Sequence, residues 1–282
     1  MTYNDVGVVG GGIMGSGIAE VTARAGCDVV VLEVSAAAAE AAETRVRASL
    51  DRAVTSGRLP AAEQSAALGR LRWTTEESDL AHCELVIEAA PEDEALKLDL
   101  FRRLDRVVRP DAVLASNTSS IPLVKMAAAT GRPAQVVGVH FFNPVPPLVE
   151  VVESLLTSEQ TLTAVTAFAE RQLGKQTIRS KDRAGFVVNA LLIPYLLAAI
   201  RMLESGFASA ADIDQGMVKG CAHPMGPLAL ADLIGLDTTA AVAQSMYAEF
   251  KEPLFAPPPL LMRMCEAGLL GRKAGRGFFA YA

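Results

Sequence analysis

The chain has 282 residues, 51% of them hydrophobic, which is enough for a sizeable core and more than one domain usually holds, so two domains are expected. A formal net charge of -6 speaks against a nucleic-acid partner, whose phosphate backbone requires a concentrated basic face. Cys27, Cys83, Cys221 and Cys265 are widely spaced, which suits reduced thiols in a cytoplasm and disfavours both a disulfide framework and structural zinc.

The first apolar stretch, residues 6–9, has no basic segment before it and reads as a strand, not as a signal peptide. Further strands are expected at 29–32, 85–88, 113–116, 136–139 and 148–152. Between them lie helical patterns at 36–56, 61–71 and 94–107, the first two forming a pair inserted after the second strand. This alternation predicts a Rossmann-type, doubly wound, mostly parallel sheet with crossover helices, over residues 1–184. Strand signals stop near Lys181. Helices are expected at 187–204, 210–218, 228–250 and 259–267, so residues 185–282 read as a second, all-helical domain for substrate and dimer contacts. The longest uncharged run, 185–200, is interrupted by Asn189 and Pro194 and falls short of the ~18 residues of a membrane span, so no membrane role is expected.

Gly10-Gly11-Gly12-Ile13-Met14-Gly15 follows the first strand directly and opens a helix. In such a turn Gly10 makes the bend, Gly12 lets the backbone approach a pyrophosphate, Gly15 permits close helix packing, and the helix amides of Ile13 and Met14 face the anion. Alone the pattern is weak, but the second strand ends in Glu33, at about the ~20-residue interval where a carboxylate meets the adenosine ribose. No basic residue follows Glu33 to bind a 2′-phosphate. NAD is therefore favoured over NADP, with FAD a weaker alternative.

Of the three histidines, His82 lies in a charged connection and His223 precedes Pro224, whereas His140 ends an apolar strand. Ligands of an open parallel sheet bind beyond the carboxyl ends of its strands, so His140 faces the cleft. Taken alone, it fits a satisfied core histidine about as well. Three further polar residues interrupt apolar surroundings: Ser119 after the fourth apolar run, Glu150 within a strand, and Asn189 inside the uncharged run. A carboxylate inside an apolar strand is costly unless it is paired.

Over its whole length the chain resembles the L-3-hydroxyacyl-CoA dehydrogenases, and within them the short bacterial 3-hydroxybutyryl-CoA dehydrogenases. The resemblance rests on GGGIMGSGIAE, ASNTSS, GVHFFNPVP followed by LVEVV, GFVVNALLIPY, HPMGPLALADLIGLD and GLLGRKAGRGFFAY, in that order. It implies an NAD-dependent oxidoreductase that interconverts a short L-3-hydroxyacyl thioester, such as 3-hydroxybutyryl-CoA, and its 3-oxoacyl form without a metal. The surplus of apolar positions on the expected C-terminal helices fits a homodimer contact as well as an ordinary core. The family's catalytic histidine falls on His140, its carboxylate partner on Glu150, and its substrate-positioning serine and asparagine on Ser119 and Asn189. Cofactor contacts fall on Glu33, Glu92, Lys97 and Asn117.

Two departures from the family's pattern stand out. Between Asn143-Pro144 and Glu150 the chain has two residues fewer than the family usually has. In the helical pair that meets the coenzyme A nucleotide, Ser56 stands where the family commonly has lysine, which leaves Ser49, Arg52 and Arg58 as the expected carrier contacts. These departures keep open a relative that acts on a hydroxyacyl group held by an acyl carrier protein. A non-enzymatic NAD-binding relative is the remaining alternative, and the intact Ser119, His140, Glu150 and Asn189 oppose it.

Overall fold

The computed structural model describes residues 2–142 and 147–281, which form two compact units divided after Asp182. In the first unit the strands are β1 (Asp5–Val9), β2 (Asp28–Leu32), β3 (Leu71–Thr74), β4 (Leu85–Glu88), β5 (Val113–Ser116), β6 (Val136–His140), β7 (Leu148–Glu153) and β8 (Gln176–Lys181). Its helices are α1 (Ile13–Arg24), α2 (Ala36–Thr55), α3 (Ala61–Gly69), α4 (Glu94–Val107), α5 (Leu123–Ala128) and α6 (Glu159–Ala167).

The strands make one sheet in the order β3-β2-β1-β4-β5-β6-β7-β8, parallel except for the antiparallel β6–β7 pair. The central strands are buried nearly throughout, as expected of parallel strands covered on both faces, so each reads as a continuous apolar run. Val6, Val8, Ile18, Val31, Ile87 and Val139 belong to one core. Strand order reverses between β1's two neighbours, β2 and β4, and α1 begins at that switch point, where such sheets bind ligands. Ser35 and Asp93 cap α2 and α4 by accepting from the amides of Ala38 and Leu96.

Two strands, β3 and β8, were not expected from the sequence. Both lie at sheet edges and are half exposed, so neither carries the apolar run that marks the central strands. The helix expected over 61–71 stops at Gly69, because Leu71 opens β3.

The second unit holds α7 (Val188–Glu204), α8 (Ala210–Gly220), α9 (Pro227–Ile234), α10 (Leu236–Phe250) and α11 (Pro259–Glu266). They enclose their own core, including Leu196, Ile200, Leu228, Leu236, Met246 and Leu261. The single helix expected over 228–250 is two. Gly235 takes φ 103° and ends α9, but the apolar spacing continues on either side, so periodicity alone does not reveal the break. Buried Asp232 accepts from the amides of Phe278 and Phe279 and from the Tyr281 hydroxyl, which ties the terminal segment to α9. Among the described residues, no helix is long and apolar enough to cross a membrane.

Candidate active site

The turn from β1 into α1 has the shape that its glycines suggest. Gly10 takes φ 91° and donates its amide to the Leu32 carbonyl, at 2.9 Å. A Cβ on Gly15 would stand 1.7 Å from the Gly10 carbonyl oxygen, so only glycine allows α1 to pass this close. Gly12 differs, since a Cβ there would meet nothing within 4 Å and the residue caps α1 without a side-chain hydrogen bond. The opening amides of α1 thus border open space, as an anion site requires. Glu33 accepts from the amides of Gly11 at 2.6 Å and Val34 at 3.2 Å, which fixes its carboxylate at the mouth of β2.

A cleft of about 740 Å³ runs along this turn, lined by Gly10, Gly12, Ile13, Met14 and Glu33. Thr75, Glu77 and Arg103 complete its wall. These were not singled out from the sequence, since Thr75 and Glu77 follow the unrecognised edge strand β3. Arg103 is held by Glu77 and by Asp99. The cleft therefore pairs a carboxylate at Glu33 with an arginine already engaged by two carboxylates, a setting that fits NAD better than NADP.

At the carboxyl end of β6 and near the amino end of the antiparallel β7, His140 and Glu150 are register partners, with Nδ1 and Oε2 2.7 Å apart. His140 is 5% exposed and Glu150 is fully buried. A carboxylate can only accept, so Nδ1 carries the proton and Nε2 the lone pair. The Phe142 ring meets the imidazole edge-on, with centroids 4.5 Å apart. Asn117, past the end of β5, accepts the Phe141 amide through Oδ1 at 2.8 Å and so fixes the backbone just after His140.

Lys97 and Glu92 belong to a network that sequence reasoning only partly found. Lys97 is 1% exposed, and its ammonium lies 2.7 Å from Glu88 and 3.1 Å from Glu92. Glu88, fully buried at the end of β4, also accepts from the Ser116 hydroxyl at 2.6 Å and the Ala90 amide at 2.7 Å. Glu92 in turn accepts from the hydroxyls of Thr118 and Ser120 and from the amides of Ser119 and Ser120. Partial burial pushes the Glu92 carboxyl up, but Lys97 and these hydrogen bonds outweigh it and hold the group below the usual carboxylate range. The network thus anchors the loop bearing Ser119. Its one sequence signal was a glutamate closing an otherwise apolar strand.

Of the remaining candidates, Asn189 is the second residue of α7, in the helical unit. Ser49 and Arg52 line a cavity of about 370 Å³ with residues of α1, and Arg58 lines an adjoining one of about 350 Å³. Asn143, Pro144, Val145 and Pro146, which include the first two residues of the shortened stretch before Glu150, lie outside the described residues.

A glycine cradle of this kind, at the switch point of a parallel sheet, is the mark of dinucleotide-dependent oxidoreductases, and the class here is an NAD-dependent dehydrogenase. Residues 5–183 match the NAD-binding domain of 3-hydroxyacyl-CoA dehydrogenase, and residues 185–281 match that enzyme's C-terminal domain. The chain is 58% identical over 279 residues to a 3-hydroxybutyryl-CoA dehydrogenase of Mycobacterium tuberculosis, covering 98% of each chain. It is 38% identical to the mitochondrial hydroxyacyl-coenzyme A dehydrogenase of Sus scrofa, covering 98% of this chain and 90% of the other. A crystal structure of (S)-3-hydroxybutyryl-CoA dehydrogenase PaaH1 from Ralstonia eutropha superposes with a TM-score of 0.93 at 45% identity, covering 99% of each chain. For that of M. tuberculosis FadB2 the values are 0.98 and 57%, with full coverage of both. The chain belongs to the 3-hydroxyacyl-CoA dehydrogenase family.

Proposed function

We propose that the chain interconverts a short L-3-hydroxyacyl-CoA, 3-hydroxybutyryl-CoA foremost, and the corresponding 3-oxoacyl-CoA, with His140 as general acid and base. The observation that carries this reading is the buried His140–Glu150 pair at the strand ends of a dinucleotide-binding sheet. When bound, NAD supplies the hydride acceptor for C3. In the oxidation direction Nε2 of His140 takes the 3-hydroxyl proton, and in the reduction direction the imidazolium returns it. Glu150 holds the proton on Nδ1 and stabilises the imidazolium, and a base positioned in this way contributes roughly 10²–10⁴ in rate. We assign the contact with the reacting oxygen, whose negative charge grows during reduction, to Ser119 and Asn189 through the motifs ASNTSS and GFVVNALLIPY.

Gly10, Gly12, Ile13, Met14 and Glu33 would hold the dinucleotide, because open space at Gly12 meets uncapped helix amides and Glu33 offers the ribose an acceptor. Asn117, Glu92 and Lys97 shape the loop beside it. Coenzyme A is the proposed carrier, met by Ser49, Arg52 and Arg58. The Arg58 guanidinium donates to the Ser56 hydroxyl at 2.9 Å, which brings a cation to the position where the family's lysine is missing. Exposed Leu191, Phe207 and Leu233 on the helical unit support a homodimer, to be read by light scattering. A reducing, cytoplasmic setting suits the four free thiols. Burial pushes Cys27 up to about 11 and Cys83 up to about 12, which keeps both protonated and unreactive.

The test is NADH oxidation with acetoacetyl-CoA. We expect saturable turnover that yields the L isomer and is selective for NADH over NADPH. Absence of turnover with any 3-oxoacyl thioester would leave only the non-enzymatic alternative.

A further inference from the structure

We infer that Phe142 is a positioning residue for proton transfer, its ring bracing the imidazole of His140, an inference that rests on the proposed role of that histidine. In an extended chain, residues two apart share a side and the one between them points to the other. Phe141 is 1% exposed and belongs to the core of the sheet, whereas Phe142 is half-buried and turns its ring onto His140. The two rings lie with centroids 4.5 Å apart and planes inclined by 63°, a close edge-to-face contact.

A general base needs its lone pair aimed as well as its other nitrogen held. The Glu150 contact at Nδ1 fixes the tautomer and one edge of the imidazole. The torsion about the Cβ–Cγ bond of a histidine joins tetrahedral to planar carbon and is therefore broad, so a hydrogen bond at one edge still lets such a ring rock about that contact. Rocking carries Nε2 with it. A flat aromatic ring packed against the imidazole opposes this motion by steric contact alone, and it brings no polar group to compete for the proton. The footing of the brace is itself fixed, because the Phe141 amide donates to Asn117 Oδ1 at 2.8 Å. Glu150 thus holds the imidazole through its proton, Asn117 through the backbone that follows it, and Phe142 through its ring.

Phe142→Ala, Phe142→Leu and Phe142→Tyr, each alone and in a His140→Gln background, test the brace with acetoacetyl-CoA and NADH. A displacement of about 1 Å at a reacting group costs as much as 10²-fold in rate, so Phe142→Ala should lower kcat by about tenfold to a hundredfold. The KM for acetoacetyl-CoA should stay within about threefold, and the NADH dissociation constant should not change. Phe142→Leu keeps apolar bulk without a flat ring and should lose less, and Phe142→Tyr should recover most of the rate. In the His140→Gln background, Phe142→Ala should cost at most about twofold more, since residues that act as one unit are not additive. Proton NMR reads the brace directly, as the Nδ1 proton signal should broaden in Phe142→Ala and sharpen again in Phe142→Tyr. Tm and NADH binding report folding, and Phe142→Leu carries the same comparison if the alanine variant does not fold.

Any of three results overturns the assignment. The first is a folded Phe142→Ala variant with kcat within about twofold of wild type. The second is a loss that persists undiminished beside His140→Gln, which would make the ring a substrate contact instead. The third is a loss that follows weakened NADH binding. If His140→Gln keeps its full rate, the proposed proton transfer fails and the brace falls with it. If His140→Gln collapses and Phe142→Ala does not, only the brace fails.

Discussion

His140 and Glu150 face one another across an antiparallel strand pair, so the backbone register itself sets the 2.7 Å contact between Nδ1 and Oε2. This pair reverses the otherwise parallel sheet at the site proposed for proton transfer. The contact also fixes the tautomer. In Glu150→Gln the amide can donate to Nδ1 and move the imidazole proton to Nε2, where it blocks proton abstraction. We expect kcat to fall by about 10²–10⁴ while the NADH dissociation constant stays within about twofold. A variant with kcat close to wild type would remove Glu150 from the mechanism.

In the proposed function Glu33 sets cofactor choice by offering an acceptor and repelling a 2′-phosphate. Glu33→Ala should raise the Kd for NADH and narrow the gap between NADH and NADPH, as read by fluorescence titration of both. The narrowing should be incomplete, because Arg103 remains engaged by Glu77 and Asp99. Unchanged affinities for both nucleotides would refute the assignment.

Buried Lys97 depends on Glu88 for its nearest counter-charge, at 2.7 Å. Replacing Glu88 with Gln leaves a buried ammonium less than fully compensated, a situation that costs about 3–5 kcal/mol when the partner is removed outright and less here, where Glu92 remains 3.1 Å away. Adding Lys97→Met should recover part of the loss. Denaturant unfolding of the two single variants and the double variant reads this directly. Strict additivity would mean that the pair does not interact.

The same network makes a pH prediction. The Glu92 carboxyl is held below its usual range, first against burial and then through Lys97 and hydroxyl donors, so its ionised form is bound more tightly in the folded state. A lowered folded pKa contributes stability above the unfolded value of about 4.3 and loses it as pH falls through the folded value. Glu92→Gln should therefore have a lower Tm than wild type near neutrality, and the difference should shrink as pH drops below about 4.3. Parallel curves of Tm against pH would contradict the network's role.

The central architecture was legible because buried parallel strands write themselves as apolar runs, and because the Gly10–Gly15 turn and Glu33 fall at fixed intervals. His140 and Glu150 were likewise visible as polar residues in or at the end of apolar strands, whereas Asn117 came only through the family resemblance. Edge strands β3 and β8 were not, since half-exposed strands carry mixed side chains. The break at Gly235 was hidden by apolar spacing that continues through it. Glu88, Ser116 and Thr118 escaped notice as a group, because their partnership depends on β4 and β5 lying side by side, where Glu88 and Ser116 are register partners.

The most direct test of the whole account is the kcat of His140→Gln, measured with acetoacetyl-CoA and NADH alongside the NADH dissociation constant. Glutamine keeps a polar side chain of similar reach but cannot exchange a proton at neutral pH. The account predicts a fall in kcat of about a hundredfold or more with cofactor binding preserved, equivalent to about 2.7 kcal/mol or more of lost transition-state stabilisation. A variant within about threefold of wild type, on the order of 0.65 kcal/mol in barrier, would show that another group moves the proton and would contradict the account at its centre.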